Sequence, residues 1–277
     1  RSLTLIGDYL ESEIRSKPEL KEQLQEINGY VQKKLWHQVS STLLSFLSNP
    51  AFTPAHLLSL QENVVARIYK KLAPFDYARW TIAISQVMGQ GEGKLAEGLA
   101  HLEATLPHLL HQTAGQTSVE QDEQAVLLLN LEITRRQLAL GHDIDKIKDR
   151  LTESKKAMDY YSGVMDARVY SSYYQASYEY SKMKGNPQDY YTNSLLYLTY
   201  TPLSSLSLSA QAALASDIGL AALLGKNIYN FGELLQHPIL KTLEGTEYKW
   251  LPKLLNTFNQ GKIQEFNTIF NEVKDKY

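Results

Sequence analysis

Residues 121–140 read QDEQAVLLLNLEITRRQLAL, and residues 141–158 continue GHDIDKIKDRLTESKKAM. In the first segment Val126, Leu129, Ile133 and Leu140 fall on one helical stripe, while Leu127, Leu131 and Leu138 fall on a second stripe on another side. In the next segment Ile144, Ile147, Leu151 and Met158 make a single stripe, and the other positions are charged or polar. A helix buried on two sides beside a helix buried on one side is the layer from which helical solenoids are built. A four-helix bundle would more often give each helix one broad stripe.

The turn between these two helices has counterparts along the chain. Leu140-Gly141-His142-Asp143, Lys184-Gly185-Asn186-Pro187, Leu224-Gly225-Lys226-Asn227 and Gln260-Gly261-Lys262-Ile263 each place glycine after a helix, where a left-handed residue can close it. The spacings are 44, 40 and 36 residues, the length of one helix pair. Helical periodicity covers nearly everything else, and no alternating β-branched run competes with it. Thr53-Pro54 and Asn186-Pro187 put a capping side chain before a first-turn proline, and Ser118 with Gln121 has capping-box spacing.

These signals predict helices near 8–28, 31–48, 54–72, 74–88, 93–111, 119–140, 143–161, 166–184, 187–200, 208–224, 231–243, 248–259 and 262–276. At least 60% of the residues should be helical, against roughly 30–35% in an average domain. The expected fold is all-α, an α-solenoid of stacked helical hairpins. Charge density drops at Gly185-Asn186-Pro187, which sets a boundary between residues 1–186 and 187–277.

Composition narrows the function. The chain has 277 residues, 43% hydrophobic and 21% charged, enough for one large core or two ordinary ones. Twenty-eight basic and thirty acidic residues leave a net charge of −2, without the basic excess of a nucleic-acid or anionic-membrane binder. There is no cysteine, which removes disulfides, thiolate metal sites and thiol nucleophiles and suits a reducing compartment. The least charged stretch, Asn193 to Gly225, is broken by Pro202 and serines and reads as core, not as a membrane span. The chain opens at Arg1 without a signal-peptide pattern and reads as part of something longer.

Candidate chemistry is sparse. Gly89-Gln90-Gly91-Glu92-Gly93-Lys94 fails the phosphate-loop pattern, with Met88 where its first glycine belongs and Leu95 in place of the hydroxyl. His101, His108 and His111 share a helical face, but Pro107 interrupts it and a zinc site wants further ligands. No HExxH, Gly-x-Ser-x-Gly or recognisable catalytic acid pair occurs. No catalytic residue, cofactor or metal is therefore assigned, and the chain is not expected to be an enzyme. Tyrosine stands out, with eleven of 18 between Tyr160 and Tyr200. Tyr170, Tyr174 and Tyr178 form one stripe beside Val169, Tyr173 and Tyr180, which suits either a core with wet edges or a partner surface.

Three strings in the last third carry a resemblance. Tyr190-Tyr191-Thr192-Asn193-Ser194-Leu195-Leu196-Tyr197-Leu198 comes first, then Leu220-Ala221-Ala222-Leu223-Leu224-Gly225. The third is Ile228-Tyr229-Asn230-Phe231-Gly232-Glu233-Leu234-Leu235-Gln236-His237-Pro238-Ile239-Leu240. With Trp250-Leu251, Phe258-Asn259-Gln260-Gly261, Phe266 and the early Lys34-Leu35-Trp36-His37-Gln38, they resemble the subunit-nine family of PCI-type non-ATPase proteins of the 26S proteasome lid. Read physically, Phe231, Leu234 and Leu235 are the buried face of a short helix, and Pro238 breaks the chain after His237. The motif residues Tyr229, Asn230, Phe231, Gly232, Glu233, Leu234, Leu235, His237 and Pro238 are thus structural.

The resemblance implies a non-catalytic scaffold in cytoplasm and nucleus that supports lid assembly and ubiquitin-dependent degradation. It implies a right-handed α-solenoid, with residues 1–186 as a TPR- or HEAT-like helical-repeat arm and 187–277 as the helical part of a PCI module, stopping before the winged helix. Implied partners are a neighbouring PCI subunit, the deubiquitinase module and the ubiquitin-receptor subunit, with no nucleic acid or membrane. A signalosome or translation-initiation PCI subunit is an alternative, disfavoured by the Asn-Phe-Gly-Glu string. A free peptide-binding repeat adaptor is another, and would need a groove lined by Asn, Lys and Arg.

Two packing expectations complete the reading. Phe231, Leu235, Trp250, Leu254 and Phe258 should be mostly buried. The last helix, with Ile263, Phe266, Ile269, Phe270 and Val273 in one stripe, should close on its predecessor as a hairpin, leaving a charged end and a monomer that does not enter the lid by itself.

Overall fold

The computed structural model describes residues 1–113 and 119–275, and side chains outside 111–122. Among the described residues the structure is 79% helical and contains no strand. It divides into two compact units, Arg1–Met165 and Asp166–Tyr277.

The first unit contains α1 (Ser2–Ser16), α2 (Lys21–Gln32), α3 (Trp36–Ser48), α4 (Pro54–Leu60), α5 (Ala66–Ile68), α6 (Pro74–Met88), α7 (Leu95–Thr113), α8 (Val119–Ala139) and α9 (Ile144–Tyr160). Successive helices pack on one another, α1 on α2 and α2 on α3, then α6 on α7, α7 on α8 and α8 on α9; α6 also touches α8. α8 is enclosed: Leu127, Leu129, Leu131, Ile133 and Leu138 are all buried. α9 buries one face, Ile147, Leu151, Ser154 and Met158, so the two-sided and one-sided patterns both hold.

Two boundaries in this unit differ from the sequence reading. The span 8–28 is two helices, because Pro18 opens a 3-10 turn and the residue before it, Lys17, leaves the helical region at φ −132°, ψ 75°. The span 31–48 is also interrupted. Leu35 N–H donates to Tyr30 O at 2.9 Å and Lys34 N–H to Val31 O at 3.0 Å, the double closure normally made by glycine. Lys34 makes it with φ 58°, so no glycine announced the turn. Between α4 and α5 the chain stays helical but loosens into a π turn, Gln61–Val65, where Gln61 Oε1 accepts from Trp80 Nε1 at 2.7 Å.

The second unit contains α10 (Ala167–Lys184), α11 (Pro187–Tyr200), α12 (Leu208–Leu224), α13 (Gly232–Gln236), α14 (Leu251–Asn259) and α15 (Ile263–Val273), with a 3-10 segment Pro238–Leu243 after α13. α11 packs between α10 and α12; α12 packs in turn on the 3-10 segment and α14, and α14 holds α15. Gly141, Gly185 and Gly261 have φ 75°, 67° and 71° and close their helices as expected. Gly225 does not: its φ is −70°. A Cβ there would lie 2.3 Å from Ile228 Cδ1 and 3.2 Å from Ala221 O, so glycine makes room at this position and does not turn the chain.

The caps follow the sequence at two of three places. Thr53 Oγ1 accepts from His56 N–H while His56 Nδ1 accepts from Thr53 N–H, and Asn186 Oδ1 accepts from Asp189 N–H. The Ser118–Gln121 pair lies outside the described residues.

Candidate functional site

The motif at 229–238 is a turn built from its own side chains. Asn230 Oδ1 accepts from Gly232 N–H at 2.8 Å, and Phe231 N–H donates to Asn259 Oδ1 at 3.0 Å, tying the turn to the end of α14. Phe231 is 1% exposed and meets Phe258 with ring centroids 5.2 Å apart; Leu234 is buried and Leu235 half-buried. His237 Nδ1 accepts from Ile239 N–H at 3.1 Å and so caps the 3-10 segment that Pro238 begins. Burial lowers the His237 pKa, with Glu233 opposing, and only the neutral ring can accept this bond. Tyr229 points outward, 76% exposed, and Glu233 is exposed beside it.

The tyrosines form a stack across the α10–α11 pair. Tyr200 lies nearly parallel to Tyr170 and Tyr174, with centroids 4.6 and 5.8 Å away, and Tyr178 meets Tyr190 and Tyr197 edge-on at 5.5 and 5.3 Å. Tyr170, Tyr174 and Tyr178 are half-buried in these contacts. Burial drives the Tyr190 hydroxyl upward, with the Asp217 charge adding to it.

The final hairpin corrects the packing expectation. Leu251, Leu254 and Leu255 fill the core, whereas Phe258 is 44% exposed and Trp250 half-buried. α14 begins at Leu251, and its inward face centres on 251, 254 and 255, which carries Trp250 and Phe258 to the edge. α15 buries Ile269 and Val273 but leaves Ile263 72% and Phe270 47% exposed. Phe258, Phe266 and Phe270 form a ladder with centroids 5.6 and 6.1 Å apart along the open side. The hairpin closes without covering its stripe, because one partner helix cannot cover a five-residue apolar face wider than the contact.

The first unit holds a buried charge cluster that the sequence reading did not single out. Glu132, 3% exposed, accepts from Arg136 Nε at 2.9 Å and from Arg135 at 2.8 Å, and Arg136 also donates to Ser85 Oγ at 3.4 Å. Burial by itself would raise the Glu132 carboxyl, but the two guanidiniums outweigh it and hold it below the ordinary carboxylate range. Gly98 admits the crossing, since a Cβ there would come within 2.4 Å of Ser85 O. The i, i+3 and i, i+4 spacing of Glu132 to Arg135 and Arg136 was the legible hint, though it usually marks a solvated face.

The histidines do not converge. His101 is half-buried, with its pKa lowered by burial, while His108 is exposed and stacks on Tyr69 at 4.8 Å. His111 lies outside the described side chains. Among the described residues no three His, Cys, Asp or Glu side chains come together as metal ligands, and no helix is long and apolar enough to cross a membrane.

Fold and motif together define a class: an all-α helical-repeat protein whose 229–238 motif is used in packing and capping. The family described as PSD13 N-terminal repeats matches residues 23–255, and the chain belongs to that family. It is 32% identical over 262 residues to the 26S proteasome non-ATPase regulatory subunit 13 homolog B of Arabidopsis thaliana, covering 94% of this chain and 65% of the relative. The 26S proteasome non-ATPase regulatory subunit 13 of Dictyostelium discoideum is 30% identical over 271 residues, covering 97% and 66%. The 26S proteasome regulatory subunit RPN9 of Saccharomyces cerevisiae is 31% identical over 258 residues, covering 92% and 65%. The chain thus spans about 65% of the length of these curated relatives, and the likeness runs through both units.

Proposed function

We propose that this chain is part of a non-catalytic structural subunit of the 26S proteasome lid, supporting assembly and ubiquitin-dependent degradation through protein–protein contacts. The observation that carries the reading is the 229–238 turn. Its family-specific residues are used in packing and capping: Phe231 fills the core, Asn230 folds the turn, and His237 caps the following segment. Residues used this way serve shape rather than chemistry. The relatives' names, 26S proteasome regulatory subunits, support the proteasome part of the reading.

In this proposal residues 1–186 are the repeat arm and 187–277 the helical part of a PCI module. The partners are a neighbouring PCI subunit, the deubiquitinase module and the ubiquitin-receptor subunit, and the protein works in cytoplasm and nucleus. The tyrosine stripe at Tyr170, Tyr174 and Tyr178 serves the α10–α11 core first and a partner second.

Lid reconstitution tests the proposal. The full-length protein is mixed with lid subcomplex lacking the subunit and followed by gel filtration, alongside this chain by itself. Co-elution of the full-length protein is expected, with weaker incorporation of the chain. Failure of the full-length protein to enter the lid would overturn the reading.

A further inference from the structure

α7 and α9 flank α8 in the first unit, and between them lies a groove of about 720 Å³. Its floor is mixed, with Leu127 and Ile133 of α8 and the half-buried Leu106 of α7 as the apolar part and Asn130 and Thr134 of α8 between them. Its rim carries charge: Glu103 on one side, Asp149 and Glu153 on the other, against the single guanidinium of Arg150. All four are exposed.

Their existing bonds are weak. Glu103 accepts from Gln137 Nε2 at 3.4 Å, and Glu153 pairs with Lys156 at 3.2 Å, both of that pair being largely solvent-exposed. Exposed pairs of this kind contribute little and exchange readily for a better-placed cation.

We propose that this groove docks a basic amphipathic helix of another protein. Counting Lys156, which pairs with Glu153, three carboxylates face two cations, and the remaining negative excess selects lysine- or arginine-bearing partners and repels acidic ones. The walls are helices, with no strand edge to extend, so the occupant that packs into their ridges is a third helix. Asp149 and Glu153 stand one turn apart on α9 and meet cations at i and i+4 of the incoming helix, while its apolar stripe covers Leu106 and Leu127. The sign is opposite to that needed by an adaptor clamping a peptide's terminal carboxylate. The proposal rests on the first unit alone and stands or falls separately from the lid reading.

The test uses the whole chain and a fluorescein-labelled amphipathic helix of about 20 residues, leucines on one face and lysines flanking them. Anisotropy should show saturable binding that weakens with salt. Asp149→Lys with Glu153→Lys should weaken it by roughly tenfold or more. Glu11→Lys with Glu22→Lys, the same charge change on α1 and α2, should leave it unaltered. Leu106→Ser should weaken binding while keeping the salt dependence, with circular dichroism confirming that each variant is folded. Absence of binding, equal binding by the Asp149/Glu153 variant, or equal binding of a scrambled peptide of the same charge would overturn the proposal.

Discussion

α8 and α15 are both rich in apolar side chains, and they finish in opposite environments. α8 has α6, α7 and α9 around it and hides even a carboxylate and a guanidinium, Glu132 and Arg136. α15 packs on α14 and leaves Ile263 and Phe270 in solvent. Burial is thus set by how many neighbours an element finds, and composition only sets how much it could bury. The contrast also separates two kinds of stability. Around α8 a removed group leaves a void or an unpaired charge, whereas on α15 a removed ring was already half in water.

The sharpest way to break this contrast is to strip the enclosed layer of one charge. Glu132→Ala leaves Arg136 buried without its partner and should cost about 3–5 kcal/mol in urea unfolding. An effect below about 1 kcal/mol would mean that water reaches the cluster and α8 is not enclosed.

Phe231→Ala should cost on the order of 3–5 kcal/mol, because the ring is fully buried. Phe258→Ala, at the exposed edge of the same contact, should cost no more than about 1.5 kcal/mol. Equal losses would show that the two rings act as one unit.

Gly98→Ala tests the crossing of α6 and α7. The added methyl sits 2.4 Å from Ser85 O, so the helices must part, at roughly 1–3 kcal/mol. Gly93→Ala, which meets nothing within 4 Å, differs by its positive φ alone and should cost about 1 kcal/mol.

pH separates the two regions again. Glu132 has a depressed pKa in the fold, so its contribution is complete above the ordinary carboxylate range and is lost as pH falls through its lower folded value. His237 has a depressed pKa as well: its contribution is complete above the ordinary imidazole value near 6.5 and fades as pH falls below it. Melting curves between mild and strong acid should therefore show His237→Asn removing the earlier, smaller loss and Glu132→Gln the later one.

The smallest change in stability is expected from Phe270→Ser with Ile263→Ser. Both side chains are exposed, so the melting temperature should hardly move, while retention on a hydrophobic column should fall. A large loss of stability would mean that the ladder contributes to the fold after all.

By itself the sequence determined most of the helices, though not the breaks at Lys17 and Lys34, three of the four glycine closures, and the layer of α8 and α9. Each of these is local: a 3.6-residue stripe, a cap or a left-handed residue is written within a dozen positions. The Asn230–Gly232 hydrogen bond of the motif is local in the same way, whereas the bond from Phe231 N–H to Asn259 reaches 28 positions along the chain. Other features were decided only by tertiary structure. Gly225 is a spacer for Ile228 rather than a turn residue, and Lys34 closes a helix that no glycine marked. Leu251 replaced Trp250 and Phe258 on the inward face of α14, because a rotation by one position depends on which neighbour the helix meets. The Glu132–Arg136–Ser85 cluster joins residues 51 positions apart at its longest bond. A carboxylate and an arginine at helical spacing look the same in sequence whether water or another helix lies beyond them, and only the packed neighbours distinguish the two.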